Sequence, residues 1–233
     1  IVTLQNGVES AKEIEKIVGD HEVISGAAYF PANISAPGEI NFKGEIGGRC
    51  LVEIGQSKEA HNNTGKRLVG LLNESNVPSM FRQDHDVMLW EKFCWIAGVS
   101  GVTAVTRQPI GIVRNDSDML ELFLDCVCEC AAVGRAAGVS LDVGLEERLT
   151  GLLESNPAEG KSSLLVDLER GAQAPGGQAA GRPRFGVTIQ SPGRLHTHFQ
   201  KAGILRITVP KTLDIQGRLA GARAVFGGHT HAQ

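Results

Sequence analysis

Apolar positions come in short runs over the first third of the chain and recur at helical spacing over the middle. Residues 1–4 form a β-rich run that stops at Asn6-Gly7, a dipeptide that favours turns. Ser10 is expected to cap a short helix, with Glu13 in the capping-box position; Ile14, Ile17 and Val18 share one face before Gly19 ends it. Residues 23–30 read as the next strand. Pro37-Gly38 turns the chain between it and two further strands, 39–43 and 50–54, with Gly47-Gly48 as a hairpin turn. Residues 58–74 make an amphipathic helix with Leu68, Leu71 and Leu72 on one side, and 77–82 a short strand.

From Asp86 the pattern turns helical and far more apolar. Residues 86–106 carry Trp90, Phe93, Trp95, Ile96, Val99, Val102 and Val105, apolar over most of the circumference, as befits the centre of a bundle. Asp84-His85-Asp86 reads as its cap. Residues 116–138 form a second helix, begun by an acidic cap and ended by Gly, and 145–153 and 162–170 complete a helical half. Sheet first and helices second predicts two domains, 1–84 and 85–171, of class α/β followed by all-α. Beyond Arg170 the periodicity fails. Residues 171–186 are Gly, Ala, Pro, Gln and Arg with little to bury, and are expected to be disordered; 204–209 makes one strand with no partner assigned.

Charge sharpens that break. Residues 1–170 hold 25 acidic and 15 basic side chains, whereas 171–233 hold one acid, Asp214, and eight bases, within a net charge of -3. A basic tail has affinity for phosphates. Here, however, it carries only Phe185, Phe199 and Phe226 as aromatics and no recognisable binding module, so nucleic acid is not an expected partner. A family variant and a change of reading frame compete as explanations; the Arg, Gly, Ala, Pro and Gln bias favours the frame change. Mean hydropathy is -0.06, and no apolar run approaches the roughly 20 residues of a membrane span. The first residues lack the basic and cleavable features of a signal peptide, and a chain opening on a core strand reads as cut from a longer protein.

Single residues give weak signals. Cys126, Cys128 and Cys130 alternate along a helix and point apart, so they read as small buried thiols of a reducing cytosol rather than as metal ligands. His196 with His198, and His229 with His231, lie where the pattern is lost, and no metal is expected. Asn6 is first of all a turn residue. Ser162 and Ser163 open a helix, where one caps it and the free N–H groups also suit a carboxylate. Lys92 lies between Trp90 and Phe93 on the most apolar helix. It either snorkels to the helix edge or sits desolvated in a cleft, with a lowered pKa that suits a proton donor.

Order and spacing are more specific than any one signal. Val2-Thr3-Leu4-Gln5-Asn6-Gly7-Val8, Gly26 to Phe30, then Ala36-Pro37-Gly38 and Gly44, Leu89-Trp90-Glu91-Lys92-Phe93, Gly101-Val102-Thr103-Ala104-Val105, Glu129 to Gly138, and Lys161-Ser162-Ser163-Leu164-Leu165-Val166-Asp167 together resemble the ketopantoate reductase family over residues 1–171. The resemblance implies a Rossmann-type NADP-binding domain, longer at its amino end, followed by a helical domain of the 6-phosphogluconate-dehydrogenase-like type. It implies reduction of 2-dehydropantoate by NADPH in the cytoplasm, and leaves a homodimer open. By the same resemblance Lys92 is the general acid, Asn6 borders the nicotinamide and substrate, Ser100 and Ser163 bind substrate, and Ala32 lies in a loop facing the nicotinamide amide. Two departures stand out. The family often has Asn where this chain has Ile96 and Ser100, which makes another branched 2-oxoacid credible. The family's catalytic Glu falls on Pro175, and no Glu follows Glu169.

Overall fold

The structure is a computed structural model, which describes residues 1–19, 21–30, 32–42, 52–56, 62–173, 186–189 and 204–207. Its elements run β1 (Val2–Thr3), α1 (Ser10–Val18), β2 (Ile24–Ala28), β3 (Ala32–Ala36), β4 (Glu39–Phe42), β5 (Val52–Gly55), α2 (Asn62–Glu74) and β6 (Ser79–Arg82). There follow α3 (His85–Thr106), α4 (Ile110–Asn115), α5 (Ser117–Ala136), α6 (Leu145–Ser155), α7 (Ser163–Gln173), β7 (Gly186–Ile189) and β8 (Ile204–Ile207). The chain divides into two compact units, Ile1–Phe93 with Gly138–Leu141, and Cys94–Ala137 with Asp142–Gln233, so the division falls inside α3.

The first unit is built on a four-stranded sheet in the order β1-β2-β5-β6. β1 is parallel to β2, β2 antiparallel to β5, and β5 parallel to β6. Ile24, Val52 and Ile54 form a core onto which Leu68, Val69 and Leu72 of α2 pack, with Val77 and Phe81 beside them. A second cluster, Ala27 with Met88 and Leu89, seats the first turns of α3 on β2. Gly26 is required by this crowding: a Cβ there would meet the Leu4 side chain at 2.6 Å and the Glu53 carbonyl oxygen at 2.7 Å.

Apart from the β7–β8 pair, the described elements of the second unit are helices. A Cβ on Gly98 of α3 would lie 2.8 Å from the Phe123 ring and 2.9 Å from Val127, so α3 and α5 approach closely there. Phe123 is fully buried and meets Trp95 edge-on, with ring centroids 6.0 Å apart. Arg114 donates to the carbonyls of Glu154 and Asn156 at the end of α6, where a cation complements the helix dipole.

The α/β-then-helical order expected from the sequence is the order observed. Several local readings change. Ser10 does not cap α1: Glu9 is the N-cap, no side chain caps it, and Glu13 bonds Lys16 instead. Ala32–Ala36, unassigned from the sequence, pairs with β4 around the Pro37-Gly38 turn; both strands are largely exposed, so no buried alternation marks them. α4 also went unread, being only six residues long. Residues 171–173, expected to be disordered, extend α7, and β8 has a partner, since it pairs in parallel with β7. Gly47-Gly48, Pro175 and the paired histidines lie outside the described residues.

Asp116 does cap α5, its carboxylate accepting from the N–H groups of Asp118 and Met119. Asp116→Ala is therefore expected to lower stability by about 1 kcal/mol in urea unfolding, and Ser10→Ala to change it by no more than about 0.5 kcal/mol. An equal loss at Ser10 would restore the capping box.

Candidate active site

Lys92 enters from α3 in the first unit. Its Nζ donates to the Ala28 carbonyl at 2.6 Å, at the carboxyl end of β2, and stands 5.2 Å from the centroid of the Tyr29 ring. Its helix neighbours Leu89, Trp90 and Phe93 are buried, while Lys92 itself is half-buried. Burial lowers the pKa of the ammonium to about 8, and the nearby negative charge of Glu53 opposes this only in part. Lys92 is thus partly desolvated and holds its proton less tightly than an exposed lysine.

A compact ionic cluster lies beside it. Glu53 on β5 is 13% exposed, Arg82 at the end of β6 18%, and Glu91 on α3 12%. Arg82 reaches Glu53 at 3.3 Å and Glu91 at 3.4 Å, and holds Asp84 through Nε at 2.7 Å and Nη2 at 2.6 Å. The Tyr29 hydroxyl donates to the second Glu53 oxygen at 3.1 Å. Burial and then the Glu53 charge push the Tyr29 phenol up; the hydrogen bond to Arg82 pulls the Asp84 carboxyl down. Asp84, expected to cap α3 with its neighbours, gives its carboxylate to Arg82, while its carbonyl accepts from Met88 N–H.

The remaining sequence candidates divide between the units. Asn6 is exposed in a bend beyond the carboxyl end of β1, and Gly7 beside it has φ +116, a conformation that favours Gly. Ala32, expected in a loop, is the exposed first residue of β3, a correction that follows from the hairpin pairing of Ala32 with Phe42. In the second unit Ser100 is buried on α3, one turn before Thr103. Thr103 exchanges a hydrogen bond of 2.7 Å with Ser162, whose hydroxyl also accepts from Leu165 N–H at 3.1 Å and so caps α7. Ser163, the first residue of α7, is exposed, and Ile96 is half-buried.

A buried histidine completes the polar groups of the sheet. His85 Nε2 pairs with the Ser25 hydroxyl inside the first unit, and His85 Nδ1 lies 3.4 Å from Asp86. Burial holds the His85 pKa below its usual value, with Asp86 opposing. Cys126 and Cys130 are buried, and burial pushes both thiols up; Cys128 is exposed, so the reading of three buried thiols fails there. Among the described residues no group of three or more His, Cys, Asp or Glu side chains could hold a metal ion, and no helix is long and apolar enough to cross a membrane.

Family comparison decides the kinship. The model for "Ketopantoate reductase PanE/ApbA" matches residues 1–56, and that for "Ketopantoate reductase PanE/ApbA C terminal" matches residues 84–183. The chain belongs to the ketopantoate reductase family. The second match runs beyond residue 171, where the sequence pattern alone stops. A 2-dehydropantoate 2-reductase of Mycobacterium tuberculosis is 25% identical over 167 residues, covering 72% of this chain and 53% of that protein. A PanE/ApbA family ketopantoate reductase from Ralstonia eutropha superposes with a TM-score of 0.61 at 26% identity, covering 73% and 53% of the two chains. D-mandelate dehydrogenase in complex with NADH and anilino(oxo)acetate superposes with a TM-score of 0.64 at 20% identity, over 72% and 54%, a likeness of fold. The chain thus spans about half the length of the relatives it matches.

In this ketopantoate reductase family member, Glu53, Arg82 and Tyr29 were missed from the sequence because they converge only through strand pairing. The available signal was a Glu in the middle of the apolar run Val52-Glu53-Ile54. Ser25 and His85, 60 residues apart, had no local signal at all.

The buried pair makes stability depend on pH. The unfolded chain takes up a proton on His85 near the usual value of about 6.5, whereas the folded protein resists. Stability present above that value is therefore lost as pH falls through the lower folded pKa. His85→Gln should flatten part of the decline in urea stability between pH 7.5 and 5; an unchanged decline would place its origin elsewhere.

Proposed function

We propose that this chain carries the proton-donating part of an NADPH-dependent reductase that converts 2-dehydropantoate to pantoate, with Lys92 as the general acid. One observation carries the reading: a lysine ammonium with a pKa of about 8 stands at the carboxyl end of a parallel strand pair. In α/β folds ligands gather at such strand ends. An acid with a pKa near neutrality combines a protonated ground state with an easy transfer.

The residues present fit the nicotinamide end of the dinucleotide. Asn6 follows β1, and Ala32 opens β3 after β2, whose last residue, Ala28, accepts from Lys92. The sequence holds no Gly-x-Gly-x-x-Gly turn for the phosphates. When bound, NADPH supplies the hydride. Lys92 gives its proton to the ketone oxygen as negative charge develops there, and its own charge stabilises the forming alkoxide. In the second unit Ser163 is exposed at the start of α7, where a hydroxyl and free N–H groups are of a kind that suits a carboxylate, and Ser100 is buried on α3.

Ile96 favours a second reading, a reductase for a different branched 2-oxoacid. Its half-buried side chain cannot hydrogen-bond where the family often has Asn. D-mandelate dehydrogenase, which has this fold, was solved with NADH and an oxoacetate, so NADH stands as the alternative cofactor. Lys92→Ala is expected to lower kcat for substrate-dependent NADPH oxidation by ~10²–10⁴-fold with little change in KM for NADPH. Unchanged turnover would remove Lys92 from this role, and a higher kcat/KM for another branched 2-oxoacid would decide for the second reading.

A further inference from the structure

A half-buried lysine beside a buried carboxylate usually ends in an ion pair. Here the carboxylate goes elsewhere. One oxygen of Glu53 faces Arg82 at 3.3 Å and the other accepts from the Tyr29 hydroxyl at 3.1 Å. Lys92 takes the Ala28 carbonyl and the face of the Tyr29 ring. We propose that Arg82 and Tyr29 are positioning residues for Lys92: by occupying both oxygens of Glu53 they keep the ammonium out of an ion pair and leave its proton available. The proposal rests on the reading of Lys92 as a proton donor.

The charged and titratable groups of this cluster come from several elements. Tyr29 follows β2, Glu53 comes from β5, Arg82 from β6, Asp84 from the segment after it, and Glu91 from α3 itself. Three carboxylates surround the guanidinium. A guanidinium suits that task because its five N–H donors form a rigid fork and it never loses its charge at working pH. A Glu53–Lys92 pair would instead favour the charged lysine and hold its proton. It would also leave a buried carboxylate without a cation once that proton had moved to substrate. Lending the carboxylate to Arg82 avoids both.

The arrangement makes predictions of opposite sign, which a merely structural cluster would not. The measurement is competitive labelling of the chain with acetic anhydride across pH, with Lys92 quantified by mass spectrometry and folding checked by circular dichroism. Wild-type Lys92 should become reactive with a midpoint near 8. Glu53→Gln removes a negative charge and should lower the midpoint by roughly one unit. Arg82→Met and Tyr29→Phe free Glu53 and should both raise it, and the Glu53→Gln/Arg82→Met double variant should return towards wild type. If Arg82→Met does not fold, Tyr29→Phe, which keeps the ring, still supplies the opposite sign. A wild-type midpoint near that of exposed lysines, no fall in Glu53→Gln, or a fall in Tyr29→Phe would each overturn the proposal. The labelling needs neither cofactor nor substrate, so failure of the reductase reading, which turnover judges, is separately visible.

Discussion

A single hydrogen bond, from the Lys92 ammonium to the Ala28 carbonyl, joins the chemistry of the first unit to its fold. A lysine can reach the carboxyl end of β2 only if the start of α3 lies flat on the sheet. Ala27, Met88 and Leu89 hold it there by apolar packing, and the Ser25–His85 pair fixes the same turn with a buried polar contact. Gly26, between Ser25 and Ala27, leaves room for the Leu4 side chain and the Glu53 backbone to close on β2. The position of Lys92 is thus a consequence of packing. Removing solvent from the ammonium weakens its hold on the proton, and the negative charge of Glu53 opposes this in part.

Electrostatic balance matters as much as burial. A carboxylate close to a lysine ordinarily raises its pKa and makes it a weaker acid, and Glu53 acts on Lys92 in that direction. Arg82 at the end of β6 absorbs that field: it binds Glu53, Asp84 and Glu91, and the hydroxyl of Tyr29 takes the remaining Glu53 oxygen. In the second unit the polar groups serve structure first. Thr103 and Ser162 tie α3 to the start of α7, and this leaves Ser163, not Ser162, as the exposed hydroxyl at that helix start.

Much of this was legible in the residues, and the exceptions have physical causes. α3 was plain from its apolar circumference, and Lys92 stood out because a cation is costly on such a helix. Asp116 and Gly138 bounded α5 as expected, since capping is a local property of a few residues. Ser10 misled because the same Ser-x-x-Glu spacing remains when the helix starts one residue earlier, and Glu13 found Lys16 a better partner. The hairpin strand Ala32–Ala36 escaped notice because Ile34 and Ile40, though paired across it, are both exposed and leave no inside-outside alternation. The Glu53–Arg82 pair was invisible for another reason: strand register brings together two residues 29 positions apart, and no local pattern announces it.

The most direct test is the pH dependence of kcat/KM for 2-oxoacid reduction. A neutral Lys92 cannot protonate the ketone oxygen, so the rate should be level below about pH 8 and fall roughly tenfold per unit above it. A profile that stayed level to about pH 10, in a protein whose Lys92→Ala variant is inactive, would contradict the desolvated lysine on which this account depends.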